Sequence, residues 1–156
     1  MRRLVCTLMA AVSLAAAPPT PVTWKLSEAP AKSVKAGARF SVKLTATIQE
    51  GWHIYSMKPL DDGPLPTRIW LAEGQPFQLS GPVKGDEPQT MQDPTLHMDV
   101  ELYEGAAAFS LPVKVAVGAS PGEQKLVVNA QAQSCNNSIC LPPATVKVEI
   151  PITVAK

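Results

Sequence analysis

Two cysteines near the carboxyl end are the residues best placed to do chemistry. They lie in the run Gln133-Ser134-Cys135-Asn136-Asn137-Ser138-Ile139-Cys140-Leu141-Pro142-Pro143. Asn136-Asn137-Ser138 is turn chemistry, because short polar side chains bond their own backbone and tolerate reversed conformations. Strand-like sequence flanks the turn, so the two thiols can face each other across a hairpin within disulfide reach. Such a bond would close a ring of six residues, counting both cysteines, and loop entropy gives so small a ring about 2 kcal/mol. A staple for a β-domain does better by tying distant strands. A small ring at a hairpin tip is more exposed and more readily reduced. On the residues alone, a redox-active pair and a static structural disulfide are both open readings. Extending the alternation of Leu126, Val128 and Ala130 puts Cys135 with Asn129, Gln131 and Gln133, on the polar and accessible face. Pro142-Pro143 removes two backbone donors and stiffens the exit of the hairpin.

Other chemistries find less. Two cysteines and two distant histidines, His53 and His97, do not make a zinc set. No C-x-x-C is present, so a thioredoxin active site is excluded. No G-x-S-x-G or H-E-x-x-H appears, and Asp61-Asp62 beside Gly63-Pro64 reads as a turn. His53, Met57, Met91, His97 and Met98 are ligand types suited to copper, which makes a copper-handling protein one alternative. Each has a plainer role, such as Met57 filling core at a strand end. A non-catalytic exported binding module with a structural disulfide is the other alternative. No cofactor is expected.

These residues need elements to hold them, and the elements read as strands. Phe40, Val42, Leu44, Ala46 and Ile48 alternate with Ser41, Lys43, Thr45, Thr47 and Gln49. A helical period would put Lys43 and Thr47 on the apolar face, so a half-buried strand is expected. Phe109, Leu111, Val113, Val115 and Val117 form a second such run, and Val146, Val148, Ile150, Ile152 and Val154 a third. Leu126–Gln133 is a weaker fourth. Val22–Ser27, Trp52–Ser56 and Thr67–Leu71 are shorter candidates. Turn signals separate the runs, among them Glu50-Gly51, Gly85-Asp86, Glu104-Gly105 and Ser120-Pro121-Gly122. Ser80–Leu96 is the least strand-like stretch, and so long a loop in a small domain is often functional. The 16 prolines are spread along the chain, and each would break a helix interior at about 3 kcal/mol. Seven or eight short strands with frequent turns predict an all-β fold, an immunoglobulin-like antiparallel β-sandwich, with a closed barrel as the alternative.

Composition limits the rest. The 156 residues are 46% hydrophobic and 17% charged, which supports one domain with a core and argues against disorder. The net charge is +1 and no basic cluster exceeds Arg2-Arg3, so no nucleic-acid partner is expected. Residues 1–17, MRRLVCTLMAAVSLAAA, have the charged start, apolar run and small-residue end of a secretory signal peptide. Residues 18–156 are then expected as a single domain. Cleavage would take Lys+Arg from 14 to 12 against 13 acids, and the cysteines from three to an even pair. An even pair in an exported chain favours a disulfide. The expectation is a soluble, monomeric, periplasmic or otherwise exported protein.

Taken together, these stretches resemble a family. Cys135…Cys140-Leu141-Pro142-Pro143, with the Lys/Val-rich last strand, is similar to the N-terminal periplasmic domain of the DsbD thiol:disulfide reductase. Gly51-Trp52-His53-Ile54-Tyr55-Ser56 resembles that family's Gly-aromatic-x-aliphatic-Tyr segment. Asp93-Pro94, then Met98-Asp99-Val100-Glu101-Leu102-Tyr103-Glu104-Gly105, resembles its cap loop and following strand. The likeness runs from about Val22 to Val154. It implies an immunoglobulin-like domain that passes electrons between periplasmic proteins, in a setting such as cytochrome c biogenesis. It implies that Cys140 forms the intermolecular bond and Cys135 resolves it. It implies a cap within Asp93–Asp99, comprising Asp93, Pro94, Leu96 and His97, that shields the pair. Where the family's cap carries an aromatic pair, this sequence offers Leu96 and His97. The implied partners are periplasmic thioredoxin-like redox proteins, with a separate membrane electron-transfer protein.

Overall fold

Alternation of apolar and polar side chains along a strand gives one wet and one dry face, and two such faces bury each other. The computed structural model describes residues 20–30, 33–93 and 96–156. The expected leader at residues 1–17 lies outside the described residues, as does Pro94.

The first sheet runs β1 (Val22–Glu28), β3 (Arg39–Ile48), β10 (Ala106–Val115), β6 (Phe77–Leu79), all antiparallel, with β7 (Lys84–Gly85) also on β10. The second runs β2 (Val34–Lys35), β13 (Ala144–Ala155), β11 (Gly122–Ala132), β5 (Arg68–Leu71). Among the described strands, only β2 is parallel to its neighbour. Val42, Leu44, Ala46 and Ile48 of β3, with Phe109, Leu111, Val113 and Val115 of β10, are buried from the first sheet. Leu126, Val128 and Ala130 of β11, with Ile150, Ile152 and Val154 of β13, are buried from the second. All belong to one core, and each large apolar side chain buried there contributes about 1.5–3 kcal/mol. Phe109 anchors it, with the Trp24 ring 5.4 Å away and the Tyr103 ring 5.5 Å away. The architecture is an all-β, immunoglobulin-like sandwich.

A third sheet holds Cys135. Its order is β12 (Ser134–Cys135), β4 (His53–Tyr55), β9 (Met98–Glu104), β8 (Gln89–Asp93). Three of these strands continue strands of the sandwich. The segment after β3 turns into β4, β9 passes directly into β10, and β11 passes through Gln133 into β12. Gly51 and Gly105 mark two of these crossings, with φ of 78° and 67°. A side chain there would meet the left-handed penalty, so glycine is what lets the strands change sheets.

Four expectations need correction. Val117 is 79% exposed. Its strand ends at Val115, and Ala116 turns away to donate to the Pro76 carbonyl. Val146 is exposed and Val148 only half-buried, so the apolar run of β13 overstates its buried length. Ser80–Leu96 is not one long loop, since it holds β7 and β8. β8 is an edge strand whose side chains are exposed except Asp93, so no alternation announces it. Gly85, expected in a turn, sits in β7 under Tyr103, where a Cβ would come within 2.6 Å of the tyrosine oxygen.

Candidate functional site

The cysteine hairpin forms because one asparagine organises it. Asn136 Oδ1 accepts from the Ser138 and Ile139 amides at 2.9 and 2.8 Å, and the Asn136 amide donates to the Ile139 carbonyl at 2.9 Å. The Leu141 amide donates to the Ser134 carbonyl at 2.9 Å and closes the strands below the turn. Cys135 and Cys140 face each other with Cα atoms 4.1 Å apart and are joined by a disulfide. Gln133 braces the base: its amide donates to the Leu141 carbonyl at 3.3 Å, and its Oε1 accepts from the Leu65 amide at 3.4 Å.

The two sulfurs have unequal surroundings. Cys135 is 1% exposed, while Cys140 is exposed beside Ile139, Pro142 and Pro143, which are exposed too. The expected accessible face for Cys135 is therefore corrected. Gln133 interrupts the strand, the chain changes sheets, and the parity carried from β11 does not survive the break. Cys135 instead pairs with His53, and Ser134 with Ile54. Paired residues share a face, so Cys135 lies on the face that carries His53 and Tyr55. There it joins a small core of Tyr55, Val100 and Leu102, with Leu60 and Met98 packed against it.

A polar chain crosses the same face. The Tyr55 hydroxyl donates to Asp93 Oδ2 at 2.8 Å, and His53 Nε2 lies 3.4 Å from the Tyr55 oxygen. All three side chains are buried. Burial, with the Asp93 hydrogen bond and charge, pushes the Tyr55 hydroxyl well above its ordinary value. Burial also holds the His53 imidazole below its ordinary value, opposed by the Asp93 and Glu104 carboxylates. Asp93 then ties down the turn between β8 and β9. Its Oδ1 accepts from the Leu96 amide at 2.9 Å and its carbonyl from the His97 amide at 2.8 Å. The Leu96 and His97 side chains are exposed, and His97 has a φ of 56°. Of the segment expected as a cap, Asp93 and Met98 pack inward, toward Tyr55 and the Cys135 core.

Behind β9, Lys58 pairs with Glu101 at 2.9 Å, and this hydrogen bond draws the Glu101 carboxyl below its ordinary value. The copper-type residues do not share one place: Met57 packs against the sandwich core and Met98 against the small core. Among the described residues, no three His, Cys, Asp or Glu side chains converge as a metal set. The residues that sequence reasoning missed are Tyr55 as a hydrogen-bond donor, Asp93 as its acceptor, and His53 as the cross-strand neighbour of Cys135. The Gly-aromatic segment that holds His53 and Tyr55 was the available signal.

The family model for the N-terminal region of thiol:disulfide interchange protein DsbD matches residues 23–151, which include this whole arrangement. The chain belongs to the DsbD N-terminal family. Solved structures agree in fold. The reduced DsbD N-terminal domain of Neisseria meningitidis is 16% identical, with a TM-score of 0.52 over 76% of this chain and 82% of that one. The N-terminal periplasmic domain of ScsB from Proteus mirabilis is 13% identical, with a TM-score of 0.51 over 85% of this chain. The match spans 45% of that ScsB chain. No curated protein matches the chain by sequence. Among the described residues of this DsbD-type domain, Cys135–Cys140 is the one disulfide on which thiol–disulfide exchange could act. No helix among the described residues is long and apolar enough to cross a membrane.

Proposed function

We propose that this domain is an exported thiol–disulfide exchange module. It passes electrons between periplasmic redox proteins through Cys140 and Cys135. Residues 1–17 direct export, and residues 18–156 are the mature domain. The observation that carries the reading is the unequal exposure of one disulfide in a DsbD-type domain: Cys140 exposed, Cys135 buried. Exchange needs an incoming thiolate to reach one sulfur in line with the bond. An exposed Cys140 supplies that sulfur and leaves Cys135 as the resolving group. The cap that the resemblance implies at Asp93, Pro94, Leu96 and His97 acts in this reading through Asp93, which is buried against Tyr55 beside the Cys135 core, while the Leu96 and His97 side chains face solvent. The partners are thioredoxin-like proteins of the same compartment, with a membrane electron-transfer protein completing the path.

Two measurements test this. Equilibrated with glutathione or dithiothreitol buffers, the folded protein should show a potential above about −270 mV, in the range of exchange proteins. A bond reduced only after unfolding would make it a structural staple. A Cys135→Ser variant should trap a covalent complex with a thioredoxin-like partner through Cys140, and Cys140→Ser should not. The reverse pattern would exchange the two roles.

A further inference from the structure

We infer that His53 is the acid–base partner of Cys135, giving it a proton when the disulfide opens and taking that proton back when it closes. The inference rests on the exchange reading above and adds a residue to it. Cys135 and His53 are directly opposed across the β12–β4 ladder. Opposed side chains share a face with Cβ atoms about 4.5–5.5 Å apart. Both residues are buried. Exchange through Cys140 makes Cys135 the leaving group, and a bare thiolate in a buried apolar site is costly. A titratable ring beside it removes that cost.

The hydrogen bonds leave the ring ready for this. The Tyr55 hydroxyl hydrogen is used on Asp93 Oδ2, so its oxygen is an acceptor toward His53 Nε2 at 3.4 Å. With Nε2 carrying a hydrogen toward Tyr55, Nδ1 is the nitrogen that gains and loses the working proton. The titratable groups on this face are Cys135 on β12, Tyr55 on β4, Glu104 on β9 and Asp93 on β8. The two carboxylates favour the imidazolium and burial opposes it. Burial outweighs the two carboxylates, so the ring gives up its proton more readily than a free imidazole does.

A thiolate of the reducing partner attacks Cys140 Sγ. The Cys135–Cys140 bond breaks and its electron pair goes to Cys135 Sγ. The His53 imidazolium delivers its proton to that sulfur, leaving a mixed disulfide on Cys140, a Cys135 thiol and a neutral ring. In the discharge step, with a formerly oxidised partner held on Cys140 as a mixed disulfide, His53 takes the proton from Cys135, whose thiolate attacks Cys140 Sγ, re-forms the Cys135–Cys140 bond and expels that partner as its thiolate with the electron pair.

The test is the rate at which dithiothreitol reduces the native disulfide, from pH 5 to pH 8.5, in the wild type and in His53→Gln. Dividing the two rates at each pH cancels the ionisation of dithiothreitol itself. The ratio should be about tenfold at pH 5 and fall to about one above pH 8, a modest general-acid contribution. Its midpoint should match the titration of His53 followed by NMR in the disulfide form. A flat ratio, with reduction still proceeding in both folded proteins, overturns the role of His53 and leaves exchange standing. If neither protein is reduced until it unfolds, both readings fall. Should His53→Gln not fold, the wild type decides alone. Its rate per dithiothreitol thiolate must fall with rising pH at the His53 midpoint, and any other midpoint refutes the inference.

Discussion

Tyr55→Phe is the sharpest probe of how the turn between β8 and β9 is held. The substitution keeps the ring, and with it the packing against Val100, Leu102 and Cys135. It removes one atom group, the hydroxyl that donates to Asp93 Oδ2 at 2.8 Å. A hydrogen bond to a charged acceptor contributes about 1.5–3 kcal/mol net. Asp93 in turn holds the Leu96 amide at 2.9 Å and the His97 amide at 2.8 Å. Those two amides are therefore reporters of the turn. If the turn opens locally, the lost bond should multiply its open population by about 10 to 150, since each 1.4 kcal/mol is tenfold. Amide hydrogen exchange by NMR reads this directly. The Leu96 and His97 amides should exchange about tenfold faster or more, while core amides of β3 and β10 keep their wild-type rates. Unchanged exchange at both reporters, in a variant that is otherwise folded, would show that Tyr55 does not hold the segment. Equal acceleration everywhere would mean that the bond supports the whole domain.

Three further outcomes follow from the packing. Gly85→Ala puts a Cβ 2.6 Å from Tyr103 Oη and 3.0 Å from Phe109 Cε1, and disturbs the 2.9 Å bond from Tyr103 to the Asp86 carbonyl. It should cost about 1–3 kcal/mol in urea unfolding, as overpacking does, and a neutral result would mean that β7 moves freely. Phe109→Ala removes the fully buried ring between Trp24 and Tyr103 and should cost about 3–5 kcal/mol. For pH, the His53 value is lowered by burial in the folded state, so below the ordinary histidine value of about 6.5 the unfolded chain binds more protons. Stability should therefore fall as pH drops through that range toward the lower folded value. His53→Gln should flatten this part of the urea midpoint against pH, and an unchanged slope would assign it to other groups.

The sandwich was legible because period two is a direct consequence of burying one face. Val42, Leu44, Ala46 and Ile48 alternate without a break, and so do Phe109 to Val115, and all eight are buried. The cysteine pair was legible for the same local reason, since Asn136 writes its turn into the sequence. The third sheet was legible only in part: Trp52–Ser56 announced β4. β12 has only two residues, and no alternation can be read from so few. β8 lies at an edge with exposed side chains, so burial stamps no pattern on it.

The error over Cys135 has the same origin. Parity is a property of one continuous strand, and Gln133 ends one strand and starts another. Past this crossing Ser134 and Cys135 are both buried, so the parity of β11 no longer separates wet from dry. That crossing also makes the site. It takes Cys135 out of the polar row of β11 and sets it opposite His53, beside Tyr55. Cys140, across the Asn136 turn, stays exposed. An unbroken strand carrying Cys135 on the wet face would have given two equally open sulfurs and no reason for a partner to choose between them. The asymmetry of the disulfide is thus a product of topology, one that depends on Gln133 as much as on the cysteines themselves.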